Sequence, residues 1–182
     1  MGQKRIIFRA ETPVEKELSD GILKRLQQNF DYSVIQSFSS SEDTGPNYYI
    51  LAKKGDSLTA WRYNKTGLGS GRSRRNIKTD TTLHQVEIGR GKLDSLLDIV
   101  LKNDLANVPS EAKDNYGCAF SGEKRMIYDT DAVNFILITK QEHRVITFYA
   151  PDFFEEKCPG STARQTVIAC AQAFMKTFGA IY

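Results

Sequence analysis

At 182 residues the chain is long enough for one domain that buries roughly 70% of the surface its unfolded form exposes, or for two small fused halves. Apolar residues at 40% and charged residues at 26% are globular values, and no apolar run approaches the ~18 residues of a membrane-spanning helix, which excludes disordered, fibrous and helical-membrane classes. The net charge of +3 is uneven, with 15 basic against 10 acidic side chains over residues 1–90 and 10 against 12 over 91–182, a weak bias beside the basic stripe of a dedicated nucleic-acid binder.

The opening MGQKRIIFRAETP shows no secretory leader, and position 6 is Ile where a myristoylation signal needs Ser or Thr. It reads equally as a cytoplasmic terminus or as the start of a chain whose leader has been removed. KRIIFR (4–9) suits a short strand. Thr12, Pro13 and Glu15 then form a helix start: Thr12 caps, Pro13 occupies the first position where its missing N–H costs nothing, and Glu15 completes a capping box. Leu18, Ile22, Leu26 and Phe30 recur every fourth residue, so the spacing predicts an amphipathic helix over 13–29.

YSVIQSF (32–38) reads as a strand, and SSSEDTGPN (39–47) as a turn-rich loop. From Tyr49 to Tyr63, YILAKKGDSLTAWRY has the form of a hairpin turning at Lys54, Gly55 and Asp56. Residues 66–82 are rich in Gly, Ser, Thr and Arg, the composition of a long exposed loop. LHQVEIG (83–89) alternates weakly as a strand. Leu93, Leu96, Leu97, Val100 and Leu101 share one face of a helix over about 92–103, and Pro109 closes that region.

RMIYD (125–129) precedes a second hairpin, FILITKQEHRVITFY (Phe135 to Tyr149), with Val133, Phe135 and Leu137 on one face and Ile136 and Ile138 on the other. A strand apolar on both faces belongs inside a sheet. The chain FYAPDFFEEKCP (148–159) reads as a proline-ended strand and a loop, after which Ser161 or Thr162 caps a helix to about 178 with Val167, Cys170, Ala171, Phe174 and Phe178 on its stripe. The two hairpins align without a gap at a separation of 86 residues: Tyr49, Ile50, Leu51, Lys54, Asp56 and Tyr63 fall on Phe135, Ile136, Leu137, Lys140, Glu142 and Tyr149. The expected architecture is a single α+β domain. An antiparallel sheet is built from two similar hairpin-containing halves (30–103 and 116–178), joined edge to edge, with about three helices on one face.

Catalytic motifs are absent. His84 and His143 stand in no metal-binding frame, and the acidic residues Asp129, Asp131, Asp152, Glu155 and Glu156 lack a cation-loop pattern, so no metal or cofactor is expected. GLGSGRSRR (67–75) matches neither of the common phosphate-loop patterns, but Arg72, Arg74 and Arg75 suit an anion, with Trp61 and Tyr63 as stacking faces on the preceding strand. Most aromatic residues on or beside the hairpins suit the core, Phe153 or Phe154 packing over it from the loop after Pro151, while Trp61, Tyr63, Phe153 and Phe154 are the candidate interaction surface in the alternative of an exposed aromatic ridge. Cys118 and Cys158 lie in Gly/Pro-rich loops while Cys170 sits in a helical stripe. The expectation is a Cys118–Cys158 disulfide closing about 40 residues and contributing on the order of 4 kcal/mol, the alternative being three reduced thiols.

The hairpin ending in FYAPDFFEEKCPG, followed by a helix ending in AFMKTF, resembles uncharacterised exported or lipid-anchored bacterial domains over the last third of the chain. The resemblance implies a periplasmic or cell-surface location, with the cytoplasm as the alternative, and carries no catalytic residues. The sequence therefore points first to a non-enzymatic exported binding or interaction module with a protein or glycan partner. A small hydrolase with an unrecognised site, and an anion- or nucleic-acid-binding protein using residues 67–75, are the other readings.

Overall fold

The computed structural model describes residues 18, 20–39, 47–64, 83–110 and 132–179. In chain order these form α1 (Asp20–Asn29), β1 (Tyr32–Ser39), β2 (Asn47–Lys54), β3 (Ser57–Asn64), β4 (His84–Val86), α2 (Arg90–Lys102), a 3-10 turn (Leu105–Asn107), β5 (Ala132–Thr139), β6 (His143–Tyr149), α3 (Pro151–Lys157) and α4 (Thr162–Phe178). The six strands make one antiparallel sheet in the order β4-β3-β2-β1-β5-β6. The strand expected at 4–9, the capping box at 12–15 and the strand expected at 125–129 lie outside the described residues.

The fold is α+β, as the alternation of strand and helix patterns predicts. Helices, however, lie on both faces of the sheet, which corrects the expectation of one. Alternation along β1 explains this: Val34 joins Leu51, Ala60, Phe135, Leu137, Phe148 and the stripes of α2 and α4 in one core, while Ile35 joins Ile50, Ala52, Ile136, Ile138 and the Leu18, Ile22 and Leu26 side chains of the α1 region in the other. A strand apolar in both registers needs cover on both sides, and the sequence supplies α1 for the second.

The two halves do join edge to edge, through β1 of the first and β5 of the second, so the hairpins themselves are not neighbours. β1 lies between them and pairs antiparallel with β2 on one side and β5 on the other. Positions 86 residues apart share one β1 partner: Gln36 faces Tyr49 and Phe135, Ile35 faces Ile50 and Ile136, and Val34 faces Leu51 and Leu137. The returning strands do not keep this match. The first hairpin turns at Gly55 and Asp56 between Lys54 and Ser57. The second closes one position earlier, with the Thr139 N–H donating to the Glu142 carbonyl at 2.8 Å, so β6 is displaced by two residues and still presents the same faces.

Gly55 takes φ +56°, the positive φ that the first central position of a type II′ turn requires. Both turns are tied to the residue that precedes β1: Asp31 accepts the Gly55 N–H at 2.7 Å and pairs with Lys140 at 2.8 Å. The Lys140 ammonium first, and then the Gly55 N–H, hold the Asp31 carboxyl below its usual range.

Residues 151–157 were expected as loop and are helix α3. Pro151 sits at the start, where a fixed φ favours a helix, and Phe154 is buried beneath it. The weak strand at 83–89 is reduced to the three residues of β4, and Ser161 caps α4 by accepting the Arg164 N–H at 3.3 Å.

Ile35→Ala is expected to cost about 2–5 kcal/mol in chemical denaturation, because Ile35 is fully buried where α1 meets the sheet. Gly55→Ala is expected to cost about 1 kcal/mol from its positive φ alone, since an added Cβ meets nothing within 4 Å.

Candidate functional site

The candidate surface residues fall in two separate places. Trp61 and Tyr63 lie on β3 and face α1, whereas Phe153 and Phe154 lie on α3 beyond β6; four strand spacings of about 4.8 Å separate β3 from β6. Two of the four are interior residues. Tyr63 is fully buried and stacks on Tyr48 with ring centres 5.2 Å apart, and Phe154 is buried against Phe153 at 5.4 Å, so neither belongs to an exposed surface. Both follow from their neighbours: strand parity places Tyr63 on a sheet face, and a helical turn after Pro151 rotates Phe154 inward.

Trp61 and Phe153 remain half-buried. Trp61 meets Phe30 edge-on at 6.0 Å and donates its indole N–H to Thr59 Oγ1 at 2.9 Å; exposed Gln85 is its partner in register on β4. Phe153 carries the Lys157 ammonium 5.7 Å from its ring centre. Arg72, Arg74, Arg75 and Cys118 lie outside the described residues, as do Asp129 and Asp131.

Cys158 is disulfide-bonded. Its loop is a dense polar junction between α3 and α4. Glu155 accepts the Gly160 N–H and the Gln165 amide, each at 2.7 Å, and pairs with buried Arg164 at 3.2 Å; Arg164 also donates to the Cys158 carbonyl at 2.7 Å. The Gly160 N–H, then Gln165, then Arg164 hold the Glu155 carboxyl below its usual range. Cys170 is free and buried in the α4 stripe, where burial pushes its thiol up to about 12 and leaves it protonated and unreactive at neutral pH. Among the described residues no three His, Cys, Asp or Glu side chains gather as metal ligands.

Polar residues that the sequence reading passed over do much of the positioning. Arg62, Arg144 and Arg164 each donate to carbonyls at the end of a helix or helical turn. Arg62 reaches the Phe178 carbonyl of α4 and lies 5.4 Å over the Tyr49 ring; Arg144 reaches the Ala106 and Val108 carbonyls; Arg164 reaches Cys158 after α3. Positive charge at a helix C-terminus meets the negative end of the helix dipole and carbonyls that lack an intrahelical donor. The signal was in strand parity, since Arg62 shares the strand face of Leu58 and Ala60, and Arg144 that of Ile146 and Phe148, so both point toward the core covered by α2 and α4. A second polar feature is a line across five strands, in which Thr147, Asn134, Ser37, Tyr48 and Tyr63 are successive partners on the α1 face. Asn134 is 5% exposed, and its Oδ1 has no hydrogen-bond partner among the described residues.

No family model matches the chain, and no curated protein matches it. The functional reading therefore rests on the chain's own chemistry.

Two outcomes are expected. Arg144→Met leaves two interior carbonyls without a donor and costs about 1–3 kcal/mol by urea unfolding, with Arg144→Lys recovering part of the loss. Because the folded Glu155 pKa lies below its ordinary 4.5, its contribution is complete above that value and is lost as pH falls through the folded pKa. The drop in urea midpoint between pH 7 and pH 3 should accordingly be smaller in Glu155→Gln than in the wild type.

Proposed function

We propose that the chain is an exported, non-enzymatic binding or interaction module, located in the periplasm or at the cell surface, with a protein or glycan partner. The observation that carries this reading is the disulfide at Cys158, a bond that persists in oxidising compartments and is rare in the cytosol. With Cys170 free, we assign Cys118 as the other half of the bond. The likeness of FYAPDFFEEKCPG to exported or lipid-anchored domains supports the same compartment.

The partner surface in this reading is the half-buried Trp61 with the exposed Gln85 amide beside it. An aromatic face next to an amide suits both a sugar ring and an apolar side chain with a polar rim. The indole N–H is already satisfied by Thr59, so the ring face is what Trp61 offers.

Alkylation under denaturing, non-reducing conditions, read by peptide mass spectrometry, is expected to label Cys170 alone; label at all three cysteines would remove the compartment argument. Trp61 is the only tryptophan in the chain, so its fluorescence reports directly on glycan and protein titrations. A saturable shift that disappears in Gln85→Ala supports this surface, and a partner whose affinity is unchanged by Trp61→Ala and Gln85→Ala would place binding elsewhere.

A further inference from the structure

The backbone of Cys158 is held at both of its polar groups by partners other than sulfur. Its N–H donates to the Phe154 carbonyl at 2.8 Å as the last bond of α3, and its carbonyl accepts Arg164 Nη2 at 2.7 Å. Pro159 has no N–H to satisfy, and the Gly160 N–H donates to Glu155 at 2.7 Å. From Cys158 to Gly160 every backbone donor is therefore taken up by α3, and the Cys158 carbonyl by α4.

The two side chains that make this junction are themselves fixed. The Arg164 side chain is 5% exposed and pairs with Glu155 at 3.2 Å, while Glu155 also accepts the Gln165 amide at 2.7 Å. A buried guanidinium that lost the carboxylate would be left uncompensated, which favours the closed arrangement strongly. Both helices are in turn anchored by apolar burial, α3 through Phe154 and α4 through Val167 and Phe174.

A disulfide forms only when its two sulfurs meet within a narrow range of distance and dihedral angle. Ordering a mobile backbone for this opposes the bond, whereas a cysteine whose backbone is already fixed meets its partner at a higher effective concentration.

We propose that Arg164 and Glu155 are positioning residues for the Cys158 disulfide: they hold the Cys158 loop in the reduced protein, and so set how strongly the bond to Cys118 forms and how far it resists reduction. This goes beyond the reading of the chain as an exported module and holds in either compartment. The exchange it governs is a balanced one. A dithiol reductant is oxidised to its own disulfide as the Cys118–Cys158 bond is reduced, and its two thiol protons pass to the two cysteines. Cys170, fully buried in the α4 stripe, stays outside the exchange.

Equilibration of the full chain over a series of ratios of reduced to oxidised dithiothreitol, with acid quench and alkylation, gives the equilibrium constant of the bond. Arg164→Met and Glu155→Gln are each expected to shift it toward the dithiol at least about fivefold, the equivalent of one lost charge-assisted hydrogen bond, with Arg164→Lys in between. Gly55→Ala, which weakens the first hairpin turn, should leave it unchanged. A constant equal to that of the wild type in Glu155→Gln and Arg164→Lys would reduce both residues to a structural role and overturn the proposal. A second measurement needs no variant: in the reduced wild type, hydrogen exchange should still show the Cys158 and Gly160 amides protected. Free exchange at those two amides would mean that the disulfide orders the loop, which is the reverse of the proposal.

Discussion

Strand β1 has no side open to water. It is hydrogen-bonded along both edges, to β2 and β5, and its residues Ser33 to Ser37 are all buried because each face of the sheet carries helices. This doubly enclosed strand sets the plan of the molecule. Val34 and Ile35 begin two cores on opposite faces, and every other strand finds its place by pairing outward from β1. A one-residue slip in either pairing would exchange the two faces of a whole hairpin, so the register is fixed by both cores together.

The enclosure has a cost that the polar residues of β1 reveal. Ser33 Oγ and Gln36 Oε1 are buried without a hydrogen-bond partner among the described residues, although Gln36 uses its amide N–H to hold α4. An unfilled buried acceptor is unfavourable by about 1–3 kcal/mol. The interior tolerates this where the same side chain positions a helix. Arg62 and Arg144 follow the same logic, exchanging hydration for carbonyls at the ends of α4 and the 3-10 turn. The outer edge of β6 is partly covered as well, since Ser110 donates to the Val145 carbonyl at 3.0 Å, and at the opposite edge β4 is only three residues long. Short and covered edges limit pairing with other chains.

Much of this was legible in the sequence because hydrophobic period reports burial directly. The two-sided apolar pattern of residues 133–138 located a strand inside the sheet, and the stripes of α2 and α4 gave their core faces. Three things were not legible from local pattern. The placement of β1 between two look-alike hairpins is a long-range choice that neither hairpin encodes. Helix α3 was masked by a proline that reads as a break but serves as a helix start. Which of the hairpin and α3 aromatics are core and which face outward was open, because aromatic residues serve both, and only strand parity and helix phase separate buried Tyr63 and Phe154 from half-buried Trp61 and Phe153. At the candidate site, the loop position of Cys158 separated this disulfide-bonded residue from the free, helical Cys170.

The most direct test of the central strand is a methyl-resolved NMR measurement in solution. Ile35 is expected to show contacts to the methyls of both Ile50 and Ile136, while Val34 shows contacts to both Leu51 and Leu137. Direct contacts between Ile50 and Ile136, with Ile35 remote from both, would mean that the hairpins join without β1 and would contradict this account.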